Sequence, residues 1–269
     1  MQLVELQKVL AELDRRGIGL IGVSYDPPEV LSQFASAKAI RFPLLADVGS
    51  RVITELGLLD RDLEAHHAAF DFQTNERQQG VAYPVIFALD EAGRVVHKRI
   101  EENYRVREGA LKLVEEGLGV TMAPAGPQGT AAAGHIKVAA VTDSTEYVRW
   151  QETRLHVGID MDPGWHMYGR PIPDGYQALT VGLEGIPEVN VHPAQYPLAR
   201  PFVVGGLDEQ FHVYEGRINV VVPFAVRVPP GHGAIDLKIV LQYQVCSETE
   251  CLPPNRTELK LRLDEAVIA

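Results

Sequence analysis

Residues 119–135 are small, rich in proline, glycine and alanine, and almost uncharged, and the apolar periodicity of the chain changes across them. Before this stretch, apolar residues recur at helical spacing and in short continuous runs; after it they alternate with polar residues. That change permits two kinds of packing in series, helices against strands and then strands against strands. The stretch reads as a linker partly stiffened by proline. The expected organisation is therefore an α/β domain over 1–118, a linker over 119–135 and an all-β domain over 136–269.

In the first half, Leu3, Val4, Leu6, Val9, Leu10 and Leu13 predict a helix over 1–16, and Gly17 stops it. Residues 18–25 read as a buried strand. Asp26-Pro27-Pro28-Glu29 is expected to open a second helix reaching about Ala39, with Asp26 as its cap. A short strand over 42–46, a helix over 50–58, strands at 85–89 and 95–100 joined by a turn at Asp90-Glu91-Ala92-Gly93, and a helix over 107–118 complete this half. In the second half, strands are expected at 136–141, 147–157, 177–183, 214–224 and 234–245, a spacing that suggests a β-sandwich.

The only cysteines are Cys246 and Cys251, in Tyr243-Gln244-Val245-Cys246-Ser247-Glu248-Thr249-Glu250-Cys251-Leu252-Pro253-Pro254. They sit at the end of the alternating run Ile239, Leu241, Tyr243, Val245, just before two prolines that cannot donate to a sheet ladder. A strand, a polar tip and a return bring two side chains face to face, which suits a reversible disulfide. Two unrelated buried thiols, half of a zinc site and a purely structural staple are the competing readings. No histidine neighbours the pair, and Glu248 and Glu250 between the cysteines would not lower a thiol pKa. The pair therefore reads as a dithiol that exchanges with a partner's disulfide.

The composition narrows the partners. Apolar residues make up 46% and charged residues 23% of a chain with net charge −11 and pI near 5.3. That balance argues for a globular protein and against nucleic acid or an anionic membrane as partner. No run approaches the roughly 20 apolar residues of a membrane helix, and the opening Met1-Gln2-Leu3-Val4-Glu5 carries charge where a signal peptide is apolar. Read from Met1, the protein would stay in the cytoplasm; with a signal peptide upstream it would be periplasmic or otherwise extracytoplasmic. Glu64, His66, His67 and Asp71 lie together in a polar stretch that reads as a solvated or partly helical loop rather than a metal cluster. Asn255-Arg256-Thr257 fits a glycosylation tripeptide but is too common a pattern to carry weight.

Two resemblances join these observations. From about residue 136 to the C-terminus, Tyr-Gln-x-Cys…Cys-x-Pro-Pro together with Gly164-Trp165-His166-Met167-Tyr168, Tyr214-Glu215-Gly216 and Pro223 resembles the amino-terminal domain of the thiol–disulfide reductase DsbD. The resemblance implies an immunoglobulin-like sandwich whose cysteines, here Cys246 and Cys251, pass electrons from a membrane-bound donor to soluble acceptors. It also implies an aromatic cap over the disulfide, with Tyr168 as the wall and Phe202 and Phe211 as further candidates; ordinary core packing of these aromatics is the competing reading. One of the cysteines would attack and the other resolve. Over residues 1–118, Ile21-Gly22-Val23-Ser24-Tyr25-Asp26, Phe42-Pro43-Leu44-Leu45-Ala46-Asp47 and Tyr83-Pro84-Val85-Ile86-Phe87 resemble the thioredoxin-like AhpC/TSA redoxins. That fold implies a cis proline before the hairpin strand, which Pro84 would match.

The chain departs from the redoxin pattern in one respect. The family's reactive cysteine ends a central strand just before the first helix, and neither that strand nor a cysteine before Cys246 is present. The first half is therefore expected to be an N-terminally truncated thioredoxin-like domain, with the strand lying upstream, or else a degenerate scaffold. A sheet lacking an internal strand must leave backbone groups unpaired or pair differently. The function that joins the two halves is thiol–disulfide exchange through a reversible Cys246–Cys251 disulfide, coupled to an antioxidant-type redoxin domain. The expected partners are redox proteins, and no cofactor or metal is implied. A non-catalytic binding module with a structural disulfide is the alternative, and a stand-alone peroxidase would lack its nucleophile here.

Overall fold

The computed structural model describes residues 2–69, 80–100, 107–185, 187–203 and 210–266. They form two compact units, divided between Met122 and Ala123.

The first unit mixes helices and strands. Helix α1 (Gln2–Arg15) buries Leu6, Val9, Leu10 and Leu13 along one face, and Gly17 follows it in the left-handed region at φ +72°. Its stripe packs with Ala110 and Val114 of helix α5 (Ala110–Leu118) and with Ile40 and Phe42. Strand β1 (Gly22–Ser24) pairs in parallel with β2 (Leu44–Ala46), joined through helix α2 (Pro28–Ala37). Short helices α3 (Arg51–Glu55) and α4 (Leu63–Ala69) follow, and then the antiparallel pair β3 (Val85–Leu89) and β4 (Val95–Ile100) and a two-residue strand β5 (Arg107–Glu108). Among the described residues β1–β2 and β3–β4 are separate two-stranded ladders rather than one sheet.

Several expectations need correction. Asp26 does not cap α2: the adjacent prolines move the start to Pro28, the cap position is Pro27, and the Asp26 carboxylate instead accepts the Ser24 hydroxyl at 2.6 Å. The Tyr83–Pro84 bond is not cis; the cis peptide among the described residues is Arg170–Pro171. The trans form is favoured by about 0.5–1 kcal/mol unless surroundings impose the other, and residues 1–118 contain no cysteine for Pro84 to face. Of the polar stretch at 64–71, Asp71 and the His66 side chain lie outside the described residues, Glu64 is exposed and His67 is buried. Among the described residues no three His, Cys, Asp or Glu side chains stand close enough to hold a metal ion.

The second unit is a sandwich. One sheet runs in the order β12 (Val189–Val191), β15 (Arg217–Val226), β9 (Gln151–Met161), β7 (Ile136–Thr142), β6 (Gln128–Ala133). A second runs β11 (Thr180–Glu184), β16 (Ile235–Tyr243), β18 (Asn255–Glu265), β8 (Glu146–Tyr147). Their inner faces share one core, with Val138, Leu155, Val157 and Val222 from the first sheet against Leu237, Ile239, Leu259 and Leu261 from the second. A third, smaller sheet, β13 (Arg200–Val203), β14 (Gln210–Glu215), β10 (His166–Tyr168), β17 (Val245–Cys246), carries the site.

Strand β6 lies inside the stretch read as a linker; its alanines pair with β7 in register from Gln128↔Val141 to Ala133↔Ile136. The expected single strand 214–224 divides at Gly216, φ +62°, where the chain passes from the small sheet, in which β14 pairs with β10, to the first sheet, in which β15 pairs with β9. The expected strand 147–157 likewise breaks at Trp150, whose φ is +65°.

Asp143, just after β7, is buried and joins two residues of β9: it accepts Arg154 Nε at 2.8 Å and lies 2.7 Å from His156 Nε2. Burial alone would raise its pKa, but the hydrogen bonds from His156 and Arg154 outweigh that and hold it below the usual aspartate range. A carboxylate whose folded pKa is depressed adds stability above its unfolded value near 4, lost as pH falls through the folded value. Asp143→Asn should therefore lose about 1–3 kcal/mol at pH 7 and flatten the acid limb of stability below about pH 4. Urea unfolding followed by tryptophan fluorescence checks this, because both tryptophans, Trp150 and Trp165, lie in this unit.

Candidate functional site

The site is assembled by pairing. Strand β17 lies antiparallel to β10, with Cys246 opposite His166 and Val245 opposite Met167. On its other edge β10 pairs with β14, setting His166 opposite Glu215 and Tyr168 opposite Val213. Strand β13 continues the sheet, with Phe202 opposite Phe211 and Arg200 opposite Val213. Side chains directly opposite one another share a face, and alternate residues along a strand return to it. One face of this sheet therefore carries Cys246, His166, Tyr168, Glu215, Phe211, Phe202 and Arg200, while Met167 and Val245 turn to the main core.

The Gly-Trp-His-Met-Tyr segment has a local logic. Gly164 sits at φ +84° in the turn that closes with Trp165 N donating to Asp162 O at 3.1 Å. Trp165 stacks on His135 with ring centroids 3.7 Å apart. His166 and Tyr168 then point to the site face and Met167 to the core. Gly169 follows where the chain passes Ala199 and Tyr214 so closely that a Cβ would stand 2.9 Å from Ala199 Cβ.

Cys246 and Cys251 are disulfide-bonded, with Cα atoms 4.1 Å apart across an antiparallel bridge. The loop between them is tied by Ser247, whose amide donates to Glu250 O at 2.7 Å and whose hydroxyl oxygen accepts the Glu250 amide at 3.1 Å. Gln244 holds the return: its Nε2 donates to Leu252 O at 3.0 Å and its Oε1 accepts Gln177 N at 3.1 Å. Tyr243 is fixed by its hydroxyl, 2.8 Å from Thr257 Oγ1. The Tyr-Gln of the cysteine motif thus anchors the hairpin.

The two sulfurs have different surroundings. Cys246 is 1% exposed and packs with Tyr168, Phe211 and Val213, whereas Cys251 is exposed. Tyr168 Oη lies 3.4 Å from Cys251 Sγ, and since a disulfide sulfur has no proton, the hydroxyl is the donor. Tyr168 also meets the rings of Phe211 at 5.2 Å and Tyr176 at 5.3 Å. Burial first, and then the neighbouring Tyr176, push the Tyr168 phenol above its ordinary pKa, so it remains a neutral donor. Phe202 is half-buried and packs on His166 at 4.7 Å.

All the residues singled out in the second half therefore converge: Cys246, Cys251, Tyr168, Phe202 and Phe211 lie on or beside one sheet face. Pro84 belongs to the other unit. Sequence reasoning did not single out His166, Tyr176, Gln244, Glu215 or Arg200. His166 and Gln244 were visible inside quoted motifs, but a role for either depends on strand pairing, which a motif does not show.

Two family models match different parts of the chain. Residues 137–263 match the family described as thiol:disulfide interchange protein DsbD, N-terminal, and residues 1–98 match the AhpC/TSA family. Peroxiredoxin Bcp of Escherichia coli K12 is 28% identical over 101 residues, which cover 30% of this chain and 65% of that protein. A putative peroxiredoxin of Shigella flexneri matches to the same extent, so the chain spans about 65% of the length of these curated relatives. Among solved structures, the N-terminal periplasmic domain of ScsB from Proteus mirabilis is 19% identical at TM-score 0.38, covering 52% of each chain. The reduced N-terminal domain of Neisseria meningitidis DsbD is 17% identical at TM-score 0.30, covering 52% of this chain and 89% of that one. Residues 1–98 thus resemble the AhpC/TSA family and residues 137–263 the DsbD N-terminal domain, and the second stretch carries the disulfide-bonded cysteine pair.

The unequal burial has a direct consequence for reactivity. After reduction, Cys251 should be alkylated by iodoacetamide at least roughly tenfold faster than Cys246, because reaction requires access to the thiolate. Peptide mass spectrometry on a quenched time course measures both rates, and equal rates would contradict the asymmetry.

Proposed function

We propose that this chain, a redoxin segment joined to a DsbD-type domain, relays electrons by thiol–disulfide exchange at Cys246–Cys251. The observation that carries the proposal is the disulfide's asymmetry, one sulfur exposed and the other sealed beneath aromatic rings. Cys251, the exposed residue of the pair, is the one a donor thiolate attacks once the partner passes the Tyr168 hydroxyl, forming a mixed disulfide and expelling Cys246 as the leaving thiolate. In the delivering direction Cys251 attacks the acceptor's disulfide and Cys246 resolves the adduct. Residues 1–98 contain no cysteine, so within this chain the exchange rests on the second unit. The redoxin segment is assigned a supporting role beside that exchange.

The partners are redox proteins with a reactive thiol or disulfide, and a membrane-bound donor fits this reading. Among the described residues no helix is long and apolar enough to cross a membrane. Tyr168 acts as the wall of a cap, with Phe211 and Phe202 behind and beside it, limiting attack to partners that can displace or bypass it.

Equilibration of the full chain in glutathione and dithiothreitol buffers, with thiol trapping, tests the central step. The expected potential lies between about −270 and −120 mV, the range of exchanging dithiols; a value below about −300 mV would mark an inert staple. Tyr168→Ala should make reduction by glutathione several-fold faster, while an unchanged rate would remove the capping role.

A further inference from the structure

His166 is the one residue of the site face with a buried, unsatisfied polar atom. The residue is 3% exposed, and among the described residues its Nε2 has no hydrogen-bond partner. Leaving such a group unmet costs about 1–3 kcal/mol, and unmet groups in a native fold call for an explanation. His166 stands directly opposite Cys246 across the β10–β17 pair. Opposed residues bring their Cβ atoms to about 4.5–5.5 Å, so the imidazole and the Cys246 sulfur start from neighbouring positions on one face.

The surroundings limit what else the ring can do. From its own strand Tyr168 meets it edge-on at 5.7 Å, and from β13 Phe202 packs against it at 4.7 Å. Of the charged groups on adjoining strands, Glu215 on β14 draws a proton towards His166 and Arg200 on β13 repels it. Those two groups form an ion pair with each other, which offsets their opposing influence. Burial then dominates and holds the imidazole below its ordinary pKa, so it is neutral near pH 7. In the oxidised protein Cys246 offers Nε2 nothing, since a disulfide sulfur carries no proton. Reduction gives Cys246 an S–H.

We propose that His166 is the proton acceptor for Cys246 in the reduced dithiol, so that the resolving step of the relay runs through this histidine. This rests on the exchange reading above. In the delivering direction the Cys251 thiolate attacks an acceptor disulfide, bonding Cys251 to one partner sulfur and releasing the other as a thiolate. The Cys246 thiol then passes its proton to Nε2 of the neutral imidazole. The resulting Cys246 thiolate attacks Cys251 Sγ, the Cys246–Cys251 bond forms, and the Cys251–partner bond breaks with its electron pair leaving on the partner sulfur. The imidazolium gives its proton to that thiolate or to water, which restores the neutral, partnerless ring. Two electrons pass from the dithiol to the acceptor, and the proton leaves by way of His166. A buried thiol with no base beside it would be slow to ionise near neutral pH, so His166 supplies what burial of Cys246 removes.

The test uses the full chain labelled with ¹⁵N-histidine and titrated by NMR in the oxidised and the dithiothreitol-reduced states, with His166→Gln assigning its signal among the nine histidines. The Cys246 S–H bonds to the neutral ring at Nε2 and so disfavours imidazolium, and the His166 midpoint is expected to fall by about half a pH unit or more on reduction. An identical titration in the two states would overturn the proposal. Stopped-flow mixing of the reduced protein with oxidised glutathione supplies the second reading. Release of the second glutathione should slow roughly tenfold in His166→Gln near pH 7 and recover as pH approaches the thiol's own pKa. A rate and pH profile matching the wild type would reduce His166 to a packing residue. Failure of the wild-type disulfide to be reduced, or of the wild-type dithiol to react with glutathione, would instead sink the exchange reading itself.

Discussion

The antiparallel pairing of β10 with β17 is the constraint on which the rest of the site depends. Two residue pairs, His166↔Cys246 and Met167↔Val245, attach the cysteine hairpin to the small sheet. Because side chains alternate across a strand, this register sends Val245 and Met167 into the main core and presents Cys246 and His166 on the opposite face. A slip of one residue would exchange those faces, burying the cysteine among core aliphatics and turning Val245 towards Tyr168. The register is held from outside the pair by Gln244, which clamps Leu252 and Gln177, and by the Tyr243–Thr257 contact between β16 and β18.

From that register follows the division of labour between the sulfurs. Cys246 belongs to a strand and is enclosed by Tyr168, Phe211 and Val213. Cys251 comes after the loop that Ser247 ties and emerges to solvent. In the proposed exchange, the same backbone that forms the disulfide would make one sulfur an entry point and the other a protected store. It also places a neutral imidazole beside the protected one.

Much of this was legible before the fold was known. The change of periodicity near residue 119 separated the mixed unit from the sandwich, and the strongly patterned α1, β3, β4, β7 and β16 lie close to where alternation or helical spacing put them. What escaped had physical reasons. Strand β6 is built of Gly129, Thr130 and alanines, residues that read as a linker and become a strand only when β7 supplies hydrogen bonds. The 214–224 run hid a change of sheet because Gly216, where the chain leaves one sheet for the other, lies between two apolar segments. Strand β18 carries a plain alternation of Thr257, Leu259, Leu261 and Leu263, yet the prolines just before it and the charged residues between its apolar positions drew attention away. At the site, the cysteines and the three aromatics could be named from motifs. His166 could not, since its significance lies in the strand opposite and in the absence of a partner at Nε2.

The account stands on Cys251 being the sulfur that meets the partner and Cys246 the one that resolves. Removing the resolving thiol should arrest exchange at the mixed disulfide. The most direct measurement incubates the full-length reduced Cys246→Ser and Cys251→Ser variants separately with a disulfide-containing redoxin and resolves the products by non-reducing mass spectrometry. The account predicts a one-to-one adduct, cleaved by dithiothreitol, that accumulates with Cys246→Ser and not with Cys251→Ser. Equal accumulation with both variants, or none with either, would contradict it.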